Sequence, residues 1–383
     1  MKKQIISLII LAMLPLVANA DAVEIDGIYY NLVTKIKSAE VTSNPNEYSG
    51  DVVIPETVEY NGVQYSVTSI GSFAFSECIG LTSVTIGNSV TNIGDCTFQG
   101  CSGLTSVTIG NSVTTIGEHA FYICTGLTST TIPNSVISIG QSAFENCSGL
   151  TSVHISDLSA WCRILFYDFE SNPLFYAHRL YLSGEEIKDL VIPNSVTSIG
   201  EFAFKGCSGL TSVTIPNYVT SIGNYAFEGC SDLMSVTIGN SVTNIGDYAF
   251  RNCSGLTSFT IGNSVTSIGE SAFLGCSALT SVHISDLSAW CKILLNGFYS
   301  NPLSYAHHLY LSGEEIKDLV IPNSVTNIRN YAFQGCSGLT SVTISNSVTS
   351  IGEHAFVDCS GLTSVTIPNS VTCIGRYAFA HCI

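Results

Sequence analysis

Apolar residues recur along this chain in short bursts that fit neither a long helix nor a single long strand. In the stretch CSGLTSVTIGNSVTTIGEHAF, Cys101 to Phe121, the first burst is Leu104, Val107 and Ile109. Alternation of Val107 and Ile109 predicts a short strand that buries one face and turns Thr108 outward. The Gly110-Asn111 pair, replaced by Pro133-Asn134 in the following copy, predicts a turn. Val113 and Ile116 then predict a second short extended segment aimed into the core, and Gly117 a backbone bend. Glu118 followed by Ala120-Phe121 predicts one turn of helix, with the carboxylate favourable near its amino end. Asp95, Glu201, Asp247, Glu270 and Glu353 hold the same place, and helix-end electrostatics is sufficient reason for them.

The pattern repeats. The Cys that closes each copy falls at 78, 101, 124 and 147, at 207, 230, 253 and 276, and at 336, 359 and 382, a step of 23 within each group. Between groups the step is 60, one ordinary unit followed by one of 37. A longer period of 129 is visible as well, because SDLSAWC at Ser156 to Cys162 returns at Ser285 to Cys291. Phe recurs at one phase in eleven units, Phe75 to Phe379, and predicts an aromatic spine. One unit cannot cover its own apolar edges, so stability must come from stacking neighbours. Thirteen V-x-I strands between Val52 and Val365, at about 4.8 Å each, give a stack roughly 60 Å long. The expected fold is a repeat solenoid, mostly β with short helical turns, drawn out into a rod or shallow arc.

The unit LTSVTIPNYVTSIGNYAFEGC, Leu210 to Cys230, resembles the BspA-like bacterial leucine-rich repeats, a 23-residue class. Strand, Asn turn, Ile-Gly and Ala-Phe-x-x-Cys recur together, and the likeness covers nearly all of the chain after its first twenty residues. The resemblance implies a right-handed stack acting as a secreted or cell-surface binding scaffold in host-associated bacteria, with some members adhesins for host matrix proteins. It implies no catalytic residues and no cofactor.

The organisation follows from these signals. Residues 1–20 carry Lys2 and Lys3, an apolar run from Ile5 to Val17 and the Ala18-Asn19-Ala20 pattern of a secretory leader cut near Ala20. Residues 21–65 do not match the unit and are expected to form an N-terminal β cap, with Asn61-Gly62 as a hairpin signal. Residues 66–383 form the solenoid, with expanded units at about 153–189 and 282–318. In the first of these, Ser156-Asp157 predicts the start of a short helix bearing Trp161, and LYLSGEEIKDLVI a hairpin around Ser183-Gly184. The chain stops inside the motif at Cys382-Ile383, which leaves self-association through that edge as an expectation.

Charge narrows the partners. Only 11% of residues are charged, and loss of Lys2 and Lys3 with the leader takes the net charge from −16 to −18. Such a surface repels nucleic acid phosphates and acidic membrane surfaces. No segment after the leader is long and apolar enough to span a bilayer. Fifteen Cys in an exported chain suggest disulfides, yet the eleven in phase point in parallel into a packed spine, which favours buried thiols. Cys96, Cys162, Cys291 and Cys373 lie off phase, and Cys96 is near enough in sequence to Cys101 for local pairing. Metal-binding spacings such as C-x-x-C are missing, and His154, Cys162 and His178 are separated by loops, so no metal site is expected.

The candidate binding residues are therefore the outward strand positions Thr85, Thr108, Thr131, His154, Thr214, Thr237, Thr260, His283, Thr343 and Thr366. Trp161 and Trp290 are added as aromatic anchors, set against ordinary core packing for the same residues. The leading expectation is adhesion to a host protein or glycan. The alternatives are a self-assembling structural component of the surface or matrix, and a water-ordering Thr ladder.

Overall fold

The computed structural model describes residues 22–382, so the expected leader lies outside the described residues. Strands Val23–Ile25, Ile28–Val33 and Ser38–Thr42 form an antiparallel meander. Thr57–Tyr60 and Val63–Ile70 form the hairpin signalled by Asn61-Gly62, whose φ angles of 51° and 77° suit a two-residue turn. Val63–Ile70 then pairs in parallel with Asn92–Ile93 and so passes the meander into the repeats. Gly50–Ile54 pairs in parallel with Leu81–Ile86, which makes it the first rung of the outward sheet.

From there the chain is a β-solenoid of parallel strands. Ser212–Ile215, Ser235–Ile238, Ser258–Thr260 and Ser281–Ile284 stack in register, with Val213, Val236, Phe259 and Val282 in one buried row. A second row of two-residue strands carries Ile199, Ile222, Ile245 and Ile268. Between the rows runs the spine: Phe204, Phe227, Phe250 and Phe273 are buried, with successive ring centroids 5.2, 5.3 and 5.6 Å apart.

The expected helical turn at Ala-Phe does not form in the regular units. Residues just before the Ala are left-handed, with φ of 53° at His119, 56° at Tyr225 and 57° at Tyr248. A non-glycine residue there costs about 1 kcal/mol or more. In return the arc directs its amides along the stack: Phe227 N–H donates to Ala249 O at 2.8 Å and Phe250 N–H to Ala272 O at 2.9 Å. Two of the acids expected at a helix end, both aspartates, have a different task. Asp95 Oδ1 accepts from Glu118 N–H at 2.9 Å and Asp247 Oδ1 from Glu270 N–H at 2.6 Å, each tying its unit to the next.

The expanded units contain α-helices. Leu158–Trp161 is capped by Asp157, whose Oδ1 accepts from Ser159 N–H and Ala160 N–H, and Leu287–Trp290 by Asp286 in the same way. Leu180–Leu182 pairs on one side with the preceding strand and on the other, through the Ser183-Gly184 turn, with Glu185–Glu186. That hairpin ends one segment of the outward sheet, and Asp189–Val191 begins the next. All fifteen cysteines are free, so the Cys96–Cys101 pairing does not occur.

Candidate functional site: the outward ladder

The candidate Thr and His residues do lie on one face. Cross-strand register joins Val53, Thr85 and Thr108, then Thr131, His154 and Tyr181. It next joins Val191, Thr214, Thr237, Thr260, His283 and Tyr310, and last Val320, Thr343 and Thr366. Most point outward because they lie between two buried residues of their strand, as Thr214 lies between Val213 and Ile215, whereas in the last rung Thr366 stands between half-buried Val365 and exposed Ile367.

Two classes of Thr share this sheet. Thr105, Thr151, Thr257 and Thr280 donate their hydroxyls to the carbonyl 23 residues earlier, at 3.0 to 3.1 Å. The ladder residues Thr85, Thr108, Thr131, Thr214, Thr237, Thr260, Thr343 and Thr366 make no side-chain hydrogen bond among the described residues. The first class locks strand to strand, and the second keeps its hydroxyls for solvent or a ligand.

Each of the first two Thr runs ends in a stacked pair that sequence reasoning placed only in part. The ring centroids of His154 and Tyr181 are 4.8 Å apart with an interplanar angle of 25°, and His283 and Tyr310 repeat both values. Partial burial pushes the His283 imidazole below its usual range and so favours its neutral form. The signal for the tyrosines was present: LYL alternates like V-x-I, so its central residue belongs to the ladder. Opposite them in the hairpin stand Glu186 and Glu315. Glu186 accepts from Arg179 at 3.2 Å, and Glu315 lies 2.6 Å from His308 Nδ1.

The sheet breaks beside these pairs open two matching grooves of about 390 and 400 Å³. The first is lined by Leu182, Glu186, Ile187, Asp189 and Val191, the second by Leu311, Glu315, Ile316, Asp318 and Val320. Asp189 and Asp318 each accept from a Thr and a Ser hydroxyl of the next unit, which holds their carboxyls below the usual range. Asp51 does the same at the first rung, with Thr82 and Ser83.

The two tryptophans do not belong to this face. Trp161 is 1% exposed and Trp290 3%, and their indole N–H groups donate to Ala203 O and Ala332 O at 2.9 Å. They pack the expanded units onto the following repeat, so the expectation of exposed aromatic anchors is corrected. Cys162 and Cys291 are likewise buried, and burial pushes both thiols up to about 12.

Comparison with known proteins agrees with this architecture. The model of the BspA type leucine rich repeat region matches residues 57–171, 179–302 and 306–383. A leucine-rich repeat protein from Bacteroides ovatus is 26% identical with a TM-score of 0.62, over 94% of this chain and 92% of that one. A leucine rich cell surface protein from Faecalibacterium prausnitzii is 24% identical with a TM-score of 0.39, over 92% and 96%. A leucine-rich repeat protein from Eubacterium ventriosum is 23% identical with a TM-score of 0.46, over 93% of each chain. No curated protein matches the chain. With stacked 23-residue turns, a Phe spine and a family match across most of its length, the chain belongs to the BspA-type leucine-rich repeat proteins.

Proposed function

We propose that the protein is a secreted or cell-surface adhesin that binds a host glycoprotein or extracellular matrix protein along its outward ladder. The observation that carries this reading is the contrast between the two Thr classes. A solenoid needs the bonded class for its own cohesion, whereas the outward class offers a regular row of uncommitted hydroxyls on a rigid, in-register sheet. The His–Tyr pairs interrupt the row at two places 129 residues apart and add flat, amphipathic contact area of the kind that dominates binding energy. The reading is non-catalytic: the ladder offers hydroxyls and stacked rings, not a cleft where an acid, a base and a nucleophile meet.

The test is binding of the leaderless chain to immobilised matrix proteins and mucosal glycoproteins, with Thr214, Thr237 and Thr260 together replaced by Lys. Saturable binding lost in the triple variant supports the ladder. Binding that survives the three substitutions moves the site elsewhere. Failure to bind any panel member, with light scattering that rises steeply with concentration, favours the self-assembling structural component.

A further inference from the structure

One column of the repeat is Gly in ten units: 71, 94, 117, 140, 200, 223, 246, 269, 352 and 375. The structure gives the reason. A Cβ at Gly223 would sit 2.6 Å from Glu201 N, at Gly246 2.6 Å from Asn224 N, and at Gly352 2.5 Å from Asn330 N. Each unit lies too close on the one before to admit a side chain. After an expanded unit the constraint relaxes, and at Gly200 the nearest atom to an added Cβ is Cys162 O at 3.3 Å. In the second expanded block this roomier place is filled, and the residue is Arg329.

Arg329 lines a cleft of about 440 Å³ in the sheet that carries the second, two-residue strands, away from the outward ladder. Arg376 lines the same cleft, with Asn327, Asn330, Ser350 and Glu353. Asn327 and Ser350 are register partners. Neither guanidinium has a carboxylate within 4.0 Å among the described residues, in a chain with 29 acidic residues against 13 Lys and Arg. Arg376 rests on the Tyr377 ring at 4.9 Å and donates to its hydroxyl at 3.2 Å, which fixes its position. Glu353, the carboxylate of the lining, lies 3.6 Å from His354 Nδ1, and its backbone N–H donates to Asn330 Oδ1 at 2.8 Å. Asn327 and Ser350 make no side-chain hydrogen bond among the described residues. Two forked cations on one cleft suit a planar carboxylate or a sulfate, and free amide and hydroxyl groups beside them suit sugar hydroxyls. The volume is that of a small-ligand site, which one or two sugar rings would fill.

We propose that this cleft binds the anionic group of an acidic saccharide, with Arg329 and Arg376 on the charge and Asn327, Asn330 and Ser350 on the neighbouring hydroxyls. It is a second site, independent of the ladder, and present in the second block alone because the first block keeps Gly200.

The experiment is saturation-transfer NMR on the leaderless chain with sialyllactose as the carboxylate, a sulfated disaccharide as the sulfate, lactose as the uncharged control and a short oligoglutamate as the peptide control. The expected result is saturable binding of at least one acidic saccharide, weakened by salt, with none for lactose or oligoglutamate. Arg329→Gly, which restores the residue found at position 200, and Arg376→Ala each weaken it by about tenfold or more. Melting of Arg329→Gly stays at the parent value, and lysine substitutions on the ladder leave saccharide binding unchanged. Absence of binding by both acidic saccharides overturns the proposal. So does binding indifferent to Arg329→Gly, or equal binding of oligoglutamate.

Discussion

The thiol of Cys253 donates to the main-chain carbonyl of Phe227, 26 residues earlier, at 3.2 Å. The same bond joins Cys101 to Phe75, Cys124 to Phe98, Cys147 to Phe121 and Cys276 to Phe250, at 2.9 to 3.2 Å. The repeated Cys is thus a small apolar side chain with one weak donor aimed at the preceding unit's spine. That explains a cysteine-rich chain whose fifteen thiols are all free. A parallel ladder bonded to carbonyls leaves its sulfurs no reason to turn toward one another.

Alkaline pH should unfold the protein through this ladder. Burial pushes the thiols of Cys101, Cys147, Cys207 and Cys276 from the ordinary 9.0 up to about 12. A folded thiol that ionises later than its unfolded counterpart contributes stability that is whole below pH 9.0 and is lost as pH rises toward about 12. Urea midpoints measured across that window should fall steadily. Native thiol titration near neutral pH should find the exposed Cys373 first and leave the buried ladder unreacted until denaturant is added.

Alanine substitutions in the Gly column should separate by context. Gly223→Ala forces a Cβ against the preceding backbone and should cost about 1–3 kcal/mol, whereas Gly200→Ala should fall within about 1 kcal/mol of the parent. Equal thermal shifts for the two would mean that the expanded unit provides no extra room.

Trp290→Ala should destabilise by about 3–5 kcal/mol, because it removes a buried indole and leaves Ala332 O short of a donor. Calorimetry decides this. A near-parent melting temperature would return the indole to the surface.

Much of the fold was legible in the sequence, because a 23-residue step with apolar residues at fixed phase allows little besides stacked turns. The Phe75 to Phe379 spine, the Asn61-Gly62 turn and the Ser183-Gly184 hairpin all follow from local chemistry. The arc before Ala-Phe reads as helix in the sequence and is not helical in the structure. Its acid and apolar residues fit a helical turn, and only the demand of each neighbour for inter-unit bonds forces His119 and Tyr225 into the left-handed region. The ladder face was legible from V-x-I alternation, but the two Thr classes were not: Thr105 and Thr108 differ only in what lies beside them in the stack. Trp161 shows the same limit, since its partner, Ala203, is 42 residues away.

The most direct test of the ladder as a binding face is the affinity of residues 21–383 for a matrix protein or mucosal glycoprotein, measured beside the Thr214→Lys, Thr237→Lys, Thr260→Lys variant. Exposed strand substitutions of this kind should each change stability by no more than about 1 kcal/mol, so the variant should melt near the parent. Saturable binding by the parent and its loss in the folded variant are expected of a binding ladder. Undiminished binding by the variant would contradict it.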